Sequence, residues 1–389
     1  MRRIVCAAGA FALAACATSP TSDSGRGYIA VSANDNKVVL NNGVAQVVQS
    51  PAPDTVALID LRSSPPRLVA EIDVPASVVG PPSSVAVAPD ESFALVTAAM
   101  KISPGDPTKQ APDSRVSVID LTARPPRVVS TVQAGAGAAG VSINRAGNLA
   151  LVANRAEGTV SVLTIAAKTV THVAKVPLGE ANSGPSSVAF TPDGKQALVS
   201  RDGDNKISVL AVDGAKVTYT KRDINAGLRP YGLEVCAPGE IAVVANIGIG
   251  QGDADTISVI DLTLNPPRVI ETITVGQTPE GVACSPDGRR VAVVAMSGSN
   301  KASNSPFYRA QGRVVVFSVD GKRLSKLGEA DTGNWSQGAV FSPDGGTLLV
   351  QNMVQKNIMV YEVGFFGVRD TGQRIQLKGG PAGIRTADR

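Results

Sequence analysis

The sequence is poor in the side chains that most catalytic and metal sites use. Its 389 residues include one histidine and one tryptophan, and aromatic residues make up 4% of the chain. A single histidine excludes copper, haem and zinc sites that need several. No Ser-His-Asp or Cys-His pairing can be assembled around His172, which lies in a segment typical of an outer strand. Scarce aromatics also disfavour nucleic-acid and glycan binding, which depend on stacking.

Glycine, proline and small apolar residues are abundant instead. The chain has 39 glycines and 26 prolines, and 43% of its residues are hydrophobic. Apolar runs alternate with turn residues, and no long segment has helical periodicity. Runs such as IAVVAN are typical of core strands and are too short to cross a membrane. These features predict an all-β fold with many tight turns.

The N-terminus, MRRIVCAAGAFALAACATSP, has the pattern of an export signal. Arg2 and Arg3 precede an apolar stretch that is too short to span a bilayer. The stretch ends in Leu-Ala-Ala-Cys, which resembles the lipobox of bacterial lipoproteins and implies cleavage before Cys16 and acylation of that cysteine. An ordinary secretory signal with a chance cysteine is the alternative. We therefore expect a signal peptide at 1–15, a lipidated cysteine and flexible tether at 16–27, and a folded domain at 28–389.

Charge alone does not hold this protein on a membrane. The formal net charge is +4, and cleavage would remove two arginines. Each basic group near an anionic membrane contributes only about 1 kcal/mol, so the acyl chains would be the membrane anchor. Ala17, rather than aspartate, follows the cysteine, which in enterobacteria resembles an outer-membrane destination. The prediction is a periplasm-facing, lipid-anchored envelope protein with a protein or small anionic ligand as partner and no nucleic acid.

Two cysteines remain in the folded domain. Cys236 and Cys284 lie in strand-like runs of neighbouring repeats and have no metal-ligand spacing. A disulfide is chemically possible outside the cytoplasm, but the spacing does not require one. Buried free thiols are therefore the expectation.

A repeated hairpin organises the rest of the chain. The phrases VACSPDGRRVAVVA, VAFTPDGKQALVS and AVFSPDGGTLLVQ each join two apolar strands through a tight turn. In this turn proline presets φ and glycine accepts the exit geometry, so the turn aspartates are structural. The hydrophobic residue of P-x-x-V or its equivalent recurs every 45 to 57 residues, at Val85, Val141, Val188, Leu233, Val282, Ala339 and Ile384. Third and fourth strands follow each hairpin.

The two chain ends complete each other. The first repeat, from Tyr28, lacks a first strand, whereas the last fragment, GGPAGIRTA, is a first strand with nothing after it. Joining them would complete a seventh sheet and remove exposed edge strands. The prediction is an all-β, seven-bladed β-propeller whose ring is closed by the C-terminal strand. The absence of Trp-Asp repeats and the scarcity of aromatics argue against the WD40 type.

Three segments carry a family resemblance. LVANRAEGTVSVLTI, VVANIGIGQGDADTISVIDL and ITVGQTPEGVACSPDG are similar to the YVTN-type β-propeller repeat, with Asn154 and Asn246 at the family's asparagine position. Arg201 and Met296 depart from it in other repeats. The family includes surface-layer proteins, periplasmic propellers and relatives of lactonases and quinoproteins. The resemblance therefore implies the fold but not an activity.

Long loops predict where a ligand would bind. Second-to-third loops are long at 34–54, 98–114 and 296–312 and moderate at 246–255. In a propeller these loops surround one mouth of the central channel, so blades one, two, five and six would form a wall and blades three and four would stay low. The candidate ligand-binding residues at this mouth are Asn154, Arg155, Arg201, Arg229, Tyr231, Asn246, Trp335 and Asn352.

Two interpretations of these residues stay open. Arginines bind carboxylate or phosphate through paired donors, and Tyr231 or Trp335 could stack on a flat ligand. Solvated loop residues, with Trp335 packed against its own blade, are the default, because singly exposed polar residues need no functional explanation.

The sequence supports two hypotheses about function. The first is a non-enzymatic, lipid-anchored binding platform that needs no cofactor, because no catalytic constellation is evident. The alternative is a lactonase-like hydrolase or isomerase with a divalent cation such as calcium in the channel. Oxygen ligands for that cation would come from Asn154, Asp202, Asp204 and Asn246.

Overall fold

A computed structural model describes Met1 and residues 28–388. The signal peptide, Cys16 and the tether predicted from the sequence lie outside these residues, apart from Met1. Strands and tight turns make up the described domain, with one short 3₁₀ helix at Ala181–Ser183. None of the described residues belongs to a helix that is both long and apolar enough to cross a membrane.

Seven four-stranded antiparallel sheets form the blades of a β-propeller. From the channel outward, blade 1 contains β32 (Gly380–Arg385), β1 (Ile29–Asp35), β4 (Thr55–Asp60) and β5 (Arg67–Asp73). Blade 2 contains β6 (Val85–Val87), β7 (Phe93–Thr97), β10 (Arg115–Asp120) and β11 (Arg127–Gln133). Blade 3 contains β12 (Ala138–Ile143), β13 (Leu149–Asn154), β14 (Thr159–Ala166) and β15 (Thr169–Pro177). Blade 4 contains β16 (Pro185–Phe190), β17 (Gln196–Arg201), β18 (Lys206–Asp213) and β19 (Lys216–Ile224).

The remaining blades repeat the same order. Blade 5 contains β20 (Pro230–Cys236), β21 (Ile241–Asn246), β22 (Asp255–Asp261) and β23 (Arg268–Gly276). Blade 6 contains β24 (Pro279–Cys284), β25 (Arg290–Ala295), β26 (Arg313–Asp320) and β27 (Arg323–Asp331). Blade 7 contains β28 (Ser336–Phe341), β29 (Thr347–Asn352), β30 (Asn357–Gly364) and β31 (Gly367–Gln376). Two small hairpins sit in the long loops: β2 (Val38–Asn41) with β3 (Val44–Val47), and β8 (Met100–Ser103) with β9 (Asp106–Pro112).

The predicted ring closure is confirmed. Strand β32 pairs antiparallel with β1, with Val31 opposite Arg385 and Ser32 opposite Ile384. The innermost strands contact each other from blade to blade around the whole ring. Both termini therefore contribute to blade 1, and the innermost edge of that blade does not stay unpaired.

Seven apolar clusters, one between each pair of adjacent blades, form the core. The cluster between blades 3 and 4, for example, combines Leu151 and Val162 with Val188 and Val199, all at most 3% exposed. Equivalent clusters fill the other six interfaces. Because strand residues point alternately to the two faces of a sheet, each blade supplies both of its neighbours. The core is thus a ring of interfaces around the channel.

The Pro-Asp-Gly turns have the structural role that the sequence predicts. Gly288 has φ of 68°, a conformation that glycine adopts without steric cost. The Asp287 carboxylate accepts hydrogen bonds from the Ser285 hydroxyl at 2.6 Å and from the Arg289 backbone N–H at 3.1 Å. These bonds close the turn locally and leave the aspartate without a catalytic role.

The expectation of two free thiols is wrong, because Cys236 and Cys284 form a disulfide. Each cysteine ends the innermost strand of its blade, and blades 5 and 6 are adjacent. The Cα atoms are 5.3 Å apart, within the range that a disulfide spans. The sequence spacing of 48 residues is one repeat, and only the side-by-side packing of successive blades turns one repeat into direct contact.

Removing this disulfide should destabilise the propeller. The bond closes a loop of 48 residues, for which the chain-entropy model predicts about 4 kcal/mol of stabilisation. The double variant Cys236→Ala, Cys284→Ala should therefore unfold at lower denaturant than the oxidised wild type. Dithiothreitol should shift the wild type and leave the variant unchanged, which separates the disulfide from side-chain packing. Alkylation of Cys236 and Cys284 in unreduced, unfolded wild-type protein, located by peptide mapping, would contradict the pairing.

Candidate functional site

The two ends of the channel differ in loop length. We call the end that carries the second-to-third and fourth-to-first loops the loop face, and the end that carries the hairpin turns the turn face. On the loop face, the Ser303 backbone N–H of blade 6 donates to Asn42 Oδ1 of blade 1 at 2.8 Å. Strands β3 and β9 join blades 1 and 2, and Gly252 of blade 5 lies against Phe307 of blade 6. The long loops of blades 1, 2, 5 and 6 thus contact one another, as the predicted wall requires, whereas the second-to-third loops of blades 3, 4 and 7 have four residues each.

A buried aspartate on the low side holds two of the predicted arginines. Asp202 follows β17 and is 3% exposed. Arg155, which follows β13, pairs with both carboxylate oxygens, and its Nη2 lies 2.8 Å from Oδ2. Arg229, which precedes β20, reaches the same oxygen at 3.0 Å. Ser186 adds a hydroxyl donor at 2.7 Å. One carboxylate thus orients two guanidinium groups at the mouth.

The charge balance of this cluster follows from its contacts. Burial alone would raise the pKa of Asp202. The hydrogen bonds and charge of Arg155, together with hydrogen bonds from Ser186 and Arg229, instead hold this pKa below its usual value. Asp202 is therefore ionised at neutral pH, and two arginines share its charge. The Arg155 and Arg229 side chains are 25% and 39% exposed. They retain donors that a ligand in the mouth can reach.

Tyr231 completes the arginine group. The Arg155 guanidinium carbon lies 5.4 Å from the centre of the Tyr231 ring, a cation–π distance. Tyr231 is 7% exposed, and the Gly80 backbone, in the loop before blade 2, hydrogen-bonds to it. The ring therefore extends from blade 5 across the channel.

Glu280 lies one blade further round and was not among the predicted site residues. Burial raises its pKa to about 8, even though Gln337, Arg155 and Arg229 each lower it. The side chain is half-buried. The protein packed around it limits the hydration of the carboxyl, which favours the neutral form and raises the pKa. A carboxyl with a pKa near 8 can both accept and return a proton close to neutral pH.

Gln337 is the second residue that the sequence did not point to. It is fully buried on β28, and neither amide atom has a well-aligned hydrogen-bond partner among the described residues. Its side chain nevertheless lies close enough to Glu280 to lower the pKa of that carboxyl through a hydrogen bond, so Gln337 is a buried neighbour of Glu280. A signal existed in the sequence: the second residue of P-x-x-V is small in four repeats but Tyr231, Glu280 and Gln337 in three successive ones.

Arg201 does not join the mouth. It is 4% exposed and turns into blade 4, where it contacts Asp204, Ser208 and the Tyr219 hydroxyl of the outermost strand. The expectation that Arg201 lines the mouth is therefore corrected. A strand-end side chain can point into its own blade or toward the channel, and the acidic and hydroxyl partners within blade 4 decide this one.

The three candidate asparagines lie inside their blades. Asn154 accepts from the Gly135 N–H at 3.0 Å and donates to Thr159 and Ser161. At the same position of blade 5, Asn246 donates to Thr256 and Ser258. In blade 7, Asn352 accepts from the Gly333 N–H and donates to Asn357. These amides join the end of the second strand to its neighbours, the local cap expected of asparagine there.

Trp335 is packed rather than free to stack. Its ring lies against Val38, Val78, Met353 and Ala382, and its backbone N–H donates to Ser299 at 3.1 Å. Only Met353 belongs to its own blade, so most of the contact is with blade 1 and its approach loops. Ligand binding by the predicted residues stays a prediction, now limited by geometry to Arg155, Arg229 and Tyr231.

The donors of the calcium hypothesis do not come together. Asn154 and Asn246 serve their own blades, Asp202 is held by two arginines, and Asp204 pairs with Arg201. Across residues 28–388 no group of three or more His, Cys, Asp or Glu side chains could hold a metal ion. His172 lies on the outermost strand of blade 3, far from the mouth. The chemistry of the site is thus a carboxyl beside arginines.

One protein-family model matches part of the chain. Residues 113–229 match the model of the lactonase family of seven-bladed β-propellers. The match covers less than a third of the chain, from β10 to the residue before β20, and includes Arg155, Asp202 and Arg229. The model that matches is that of lactonases rather than the YVTN repeat named from the sequence, and it describes the same seven-bladed β-propeller fold. No curated protein matches the chain.

Solved structures resemble the whole domain. A provisionally assigned 6-phosphogluconolactonase from Bacteroides fragilis superposes with TM-score 0.69 at 17% identity, over 95% of this chain and 100% of that one. A periplasmic gluconolactonase from Pseudomonas aeruginosa gives 0.63 at 18%, over 93% and 99%. Hydrazine synthase from Kuenenia stuttgartiensis gives 0.60 at 19%, over 80% and 90%. At these identities the likeness establishes the propeller and leaves the activity open.

Proposed function

We propose that this protein is a lactonase-type hydrolase that opens a sugar-acid lactone at the loop face. The observation that carries the proposal is the Glu280 carboxyl. Burial raises its pKa to about 8, and the charges of Arg155 and Arg229, the two guanidinium groups that Asp202 orients, act on it. The lactonase family match and the two lactonase-named structures favour this alternative over a non-enzymatic platform. The platform hypothesis was based on the lipobox-like motif, the long loops on one face and the lack of a catalytic constellation, and a carboxyl with arginines would supply such a constellation without histidine.

Ring opening needs one group to move a proton twice. The Glu280 carboxylate would take a proton from water as the water oxygen attacks the lactone carbonyl carbon. The tetrahedral intermediate then breaks its bond to the ring oxygen, and protonated Glu280 returns the proton to that oxygen. The product is a hydroxy acid, and Glu280 is again a carboxylate. Arg155 and Arg229 would stabilise the negative charge that develops on the carbonyl oxygen.

The arginines also favour an anionic substrate. Two guanidinium groups share one aspartate, so the cluster keeps net positive charge beside Glu280. A phosphate or carboxylate on the lactone would meet paired donors. The low side of the wall, at blades 3 and 4, would give such a substrate its approach, and the buried Gln337 amide would position the Glu280 carboxyl.

We also propose that the protein works in the cell envelope, lipid-anchored through Cys16. The Leu-Ala-Ala-Cys motif supports this, and so does the Cys236–Cys284 disulfide, because disulfides persist in oxidising compartments such as the periplasm. The small anionic ligand and the membrane are then its two partners.

Lactone turnover tests the function directly. Purified protein should release protons from 6-phosphogluconolactone and from neutral glucono-1,5-lactone faster than the spontaneous reaction, with the lower KM for the phosphorylated lactone. Arg229→Gln should raise the KM for the phosphorylated lactone about 10- to 100-fold, the loss of one charge-assisted contact, and should change the KM for the neutral lactone little. The kcat for both lactones should fall, because Arg229 also stabilises the charge on the carbonyl oxygen.

Arg222→Gln provides the matched control for this comparison. Arg222 lies on β19, the outermost strand of blade 4, where it donates to Asn265 Oδ1 at 3.1 Å, and its substitution should change neither KM. Turnover of both lactones at only the spontaneous rate would contradict the proposed function.

A further inference from the structure

Two adjacent phenylalanines form an exposed apolar tip on the turn face. Phe365 and Phe366 lie between β30 and β31 and are 84% and 95% exposed. Their rings pack edge to face, with centres 5.2 Å apart. The chain has only eight phenylalanines, and Phe93, Phe190, Phe317 and Phe341 are buried. In a protein this poor in aromatics, an exposed pair points to an apolar partner.

The equivalent turns of the other six blades are different. These third-to-fourth turns carry Pro-Pro in blades 1, 2 and 5, and Ala-Lys, Gly-Ala and Gly-Lys in blades 3, 4 and 6. Small, rigid or basic residues suit a turn in water. The fold therefore does not require Phe-Phe at this position, and blade 7 is the exception.

The position of this turn relative to the N-terminal segment indicates the partner. Tyr28, where the described domain begins, accepts a backbone hydrogen bond from Leu61 in the β4–β5 turn at 2.7 Å. Gln373 on β31 donates to the Pro66 carbonyl of the same turn at 2.6 Å. Tyr28 thus lies on the turn face, beside the blade that carries Phe365 and Phe366.

We propose that the turn face rests on the lipid bilayer, with Phe365 and Phe366 inserted at the interface. The inference rests on the lipid anchor proposed above for Cys16. The twelve residues 16–27 can span at most about 40 Å, so an anchored Cys16 keeps the turn face near the membrane. Aromatic side chains favour the interfacial region. Arg62 and Arg67, whose side chains are 60% and 71% exposed, lie on the neighbouring turn and suit anionic headgroups.

This orientation has a functional consequence. The loop face is at the opposite end of the channel, one strand length or about 20 Å away. The mouth with Arg155, Asp202 and Glu280 would point away from the membrane, toward a soluble substrate.

Tryptophan fluorescence in brominated vesicles tests the orientation. The full-length, lipidated Phe366→Trp variant is reconstituted into phosphatidylcholine–phosphatidylglycerol vesicles, with and without acyl-chain bromination. The introduced tryptophan should shift to shorter wavelength and lose about half its emission or more in brominated vesicles. The matched control is Val44→Trp, at a loop-face hairpin tip that is 57% exposed. It should not be quenched, and neither should the native Trp335.

Each other outcome would overturn the proposal. Protein that does not float with vesicles removes the anchor on which it rests, whereas floating Phe366→Trp protein whose introduced tryptophan is not quenched keeps the anchor and rejects insertion. Quenching at Val44→Trp would reverse the orientation. A blue shift that grows with protein concentration without vesicles would mean that a second copy covers the tip. Lactone turnover of the same samples reports separately on the proposed function.

Discussion

Replacing Glu280 by glutamine should lower kcat for lactone opening by about 10²- to 10⁴-fold, the usual contribution of a general base. Glutamine keeps the size and polarity of the side chain but cannot accept the proton of the attacking water. Because Arg155 and Arg229 remain in place, KM should change much less than kcat. Steady-state proton release from a phosphorylated aldonolactone measures both constants.

Glu234→Gln is the matched control. Glu234 also lies on a channel-lining strand, and burial raises its pKa to about 7, but it belongs to the turn-face end of the channel, where it accepts the Cys284 N–H at 3.2 Å. Its substitution should leave kcat within about twofold of the wild type. An equal loss in both variants would indicate a general effect on the channel rather than a base at the mouth.

The pH profile provides a second readout for the same residue. The reactive form of Glu280 is the carboxylate, and its pKa is about 8. In the wild type, kcat/KM should rise with pH up to roughly this value and fall about tenfold per pH unit well below it. Because Arg155 and Arg229 lower this pKa, Arg229→Gln should shift the rise of kcat/KM to higher pH. A rate that is flat from pH 6 to 9 would contradict the assignment.

Deleting residues 380–389 should destroy the cooperative folding of the propeller. The deletion removes β32, so β1 loses its partner and the blade 7–blade 1 core loses Ile384, which is fully buried. Burial of one such side chain contributes about 1.5–3 kcal/mol, and the ladder, Ala382 and the Gln351–Gly383 hydrogen bond are lost with it. The summed loss approaches the free energy of unfolding of a whole domain, which is about 5–15 kcal/mol.

Thermal unfolding and size-exclusion chromatography test this expectation. The truncated chain should lose its sharp transition and aggregate through the exposed edge of β1. Removal of Asp388 and Arg389 alone, beyond the closing strand, should keep the wild-type Tm within a few degrees. A monomeric truncated protein with a wild-type Tm would show that the ring does not depend on its terminal strand.

The architecture followed from the sequence because it depends on local, repeated features. Alternating apolar residues define strands, Pro-Asp-Gly turns join them, and seven copies of one pattern leave a closed propeller as the arrangement that buries every sheet. Even the closure could be predicted, because GGPAGIRTA supplies the strand that the first repeat lacks. The loop wall was likewise visible as length differences between repeats.

The candidate site was only half visible. Arg155, Arg229 and Tyr231 could be placed at the mouth from their position in the repeat, but so could Arg201, which turns into its own blade. Position along a strand sets the level of a side chain, whereas its direction depends on the partners that other segments supply. Glu280 and Gln337 occupy the second position of P-x-x-V, where four other repeats have a small residue. Their chemistry depends on burial, which the local sequence pattern does not reveal.

The sequence by itself determined the repeat, the number of blades, the closure and the end of the channel with the long loops, since all of these follow from short-range periodicity. Only the tertiary structure decided that Cys236 meets Cys284, that Asp202 holds two arginines, and that burial raises the pKa of Glu280 to about 8. These properties come from contacts between blades, where residues about one repeat apart become neighbours and the surrounding protein, not the sequence spacing, sets their geometry and charge.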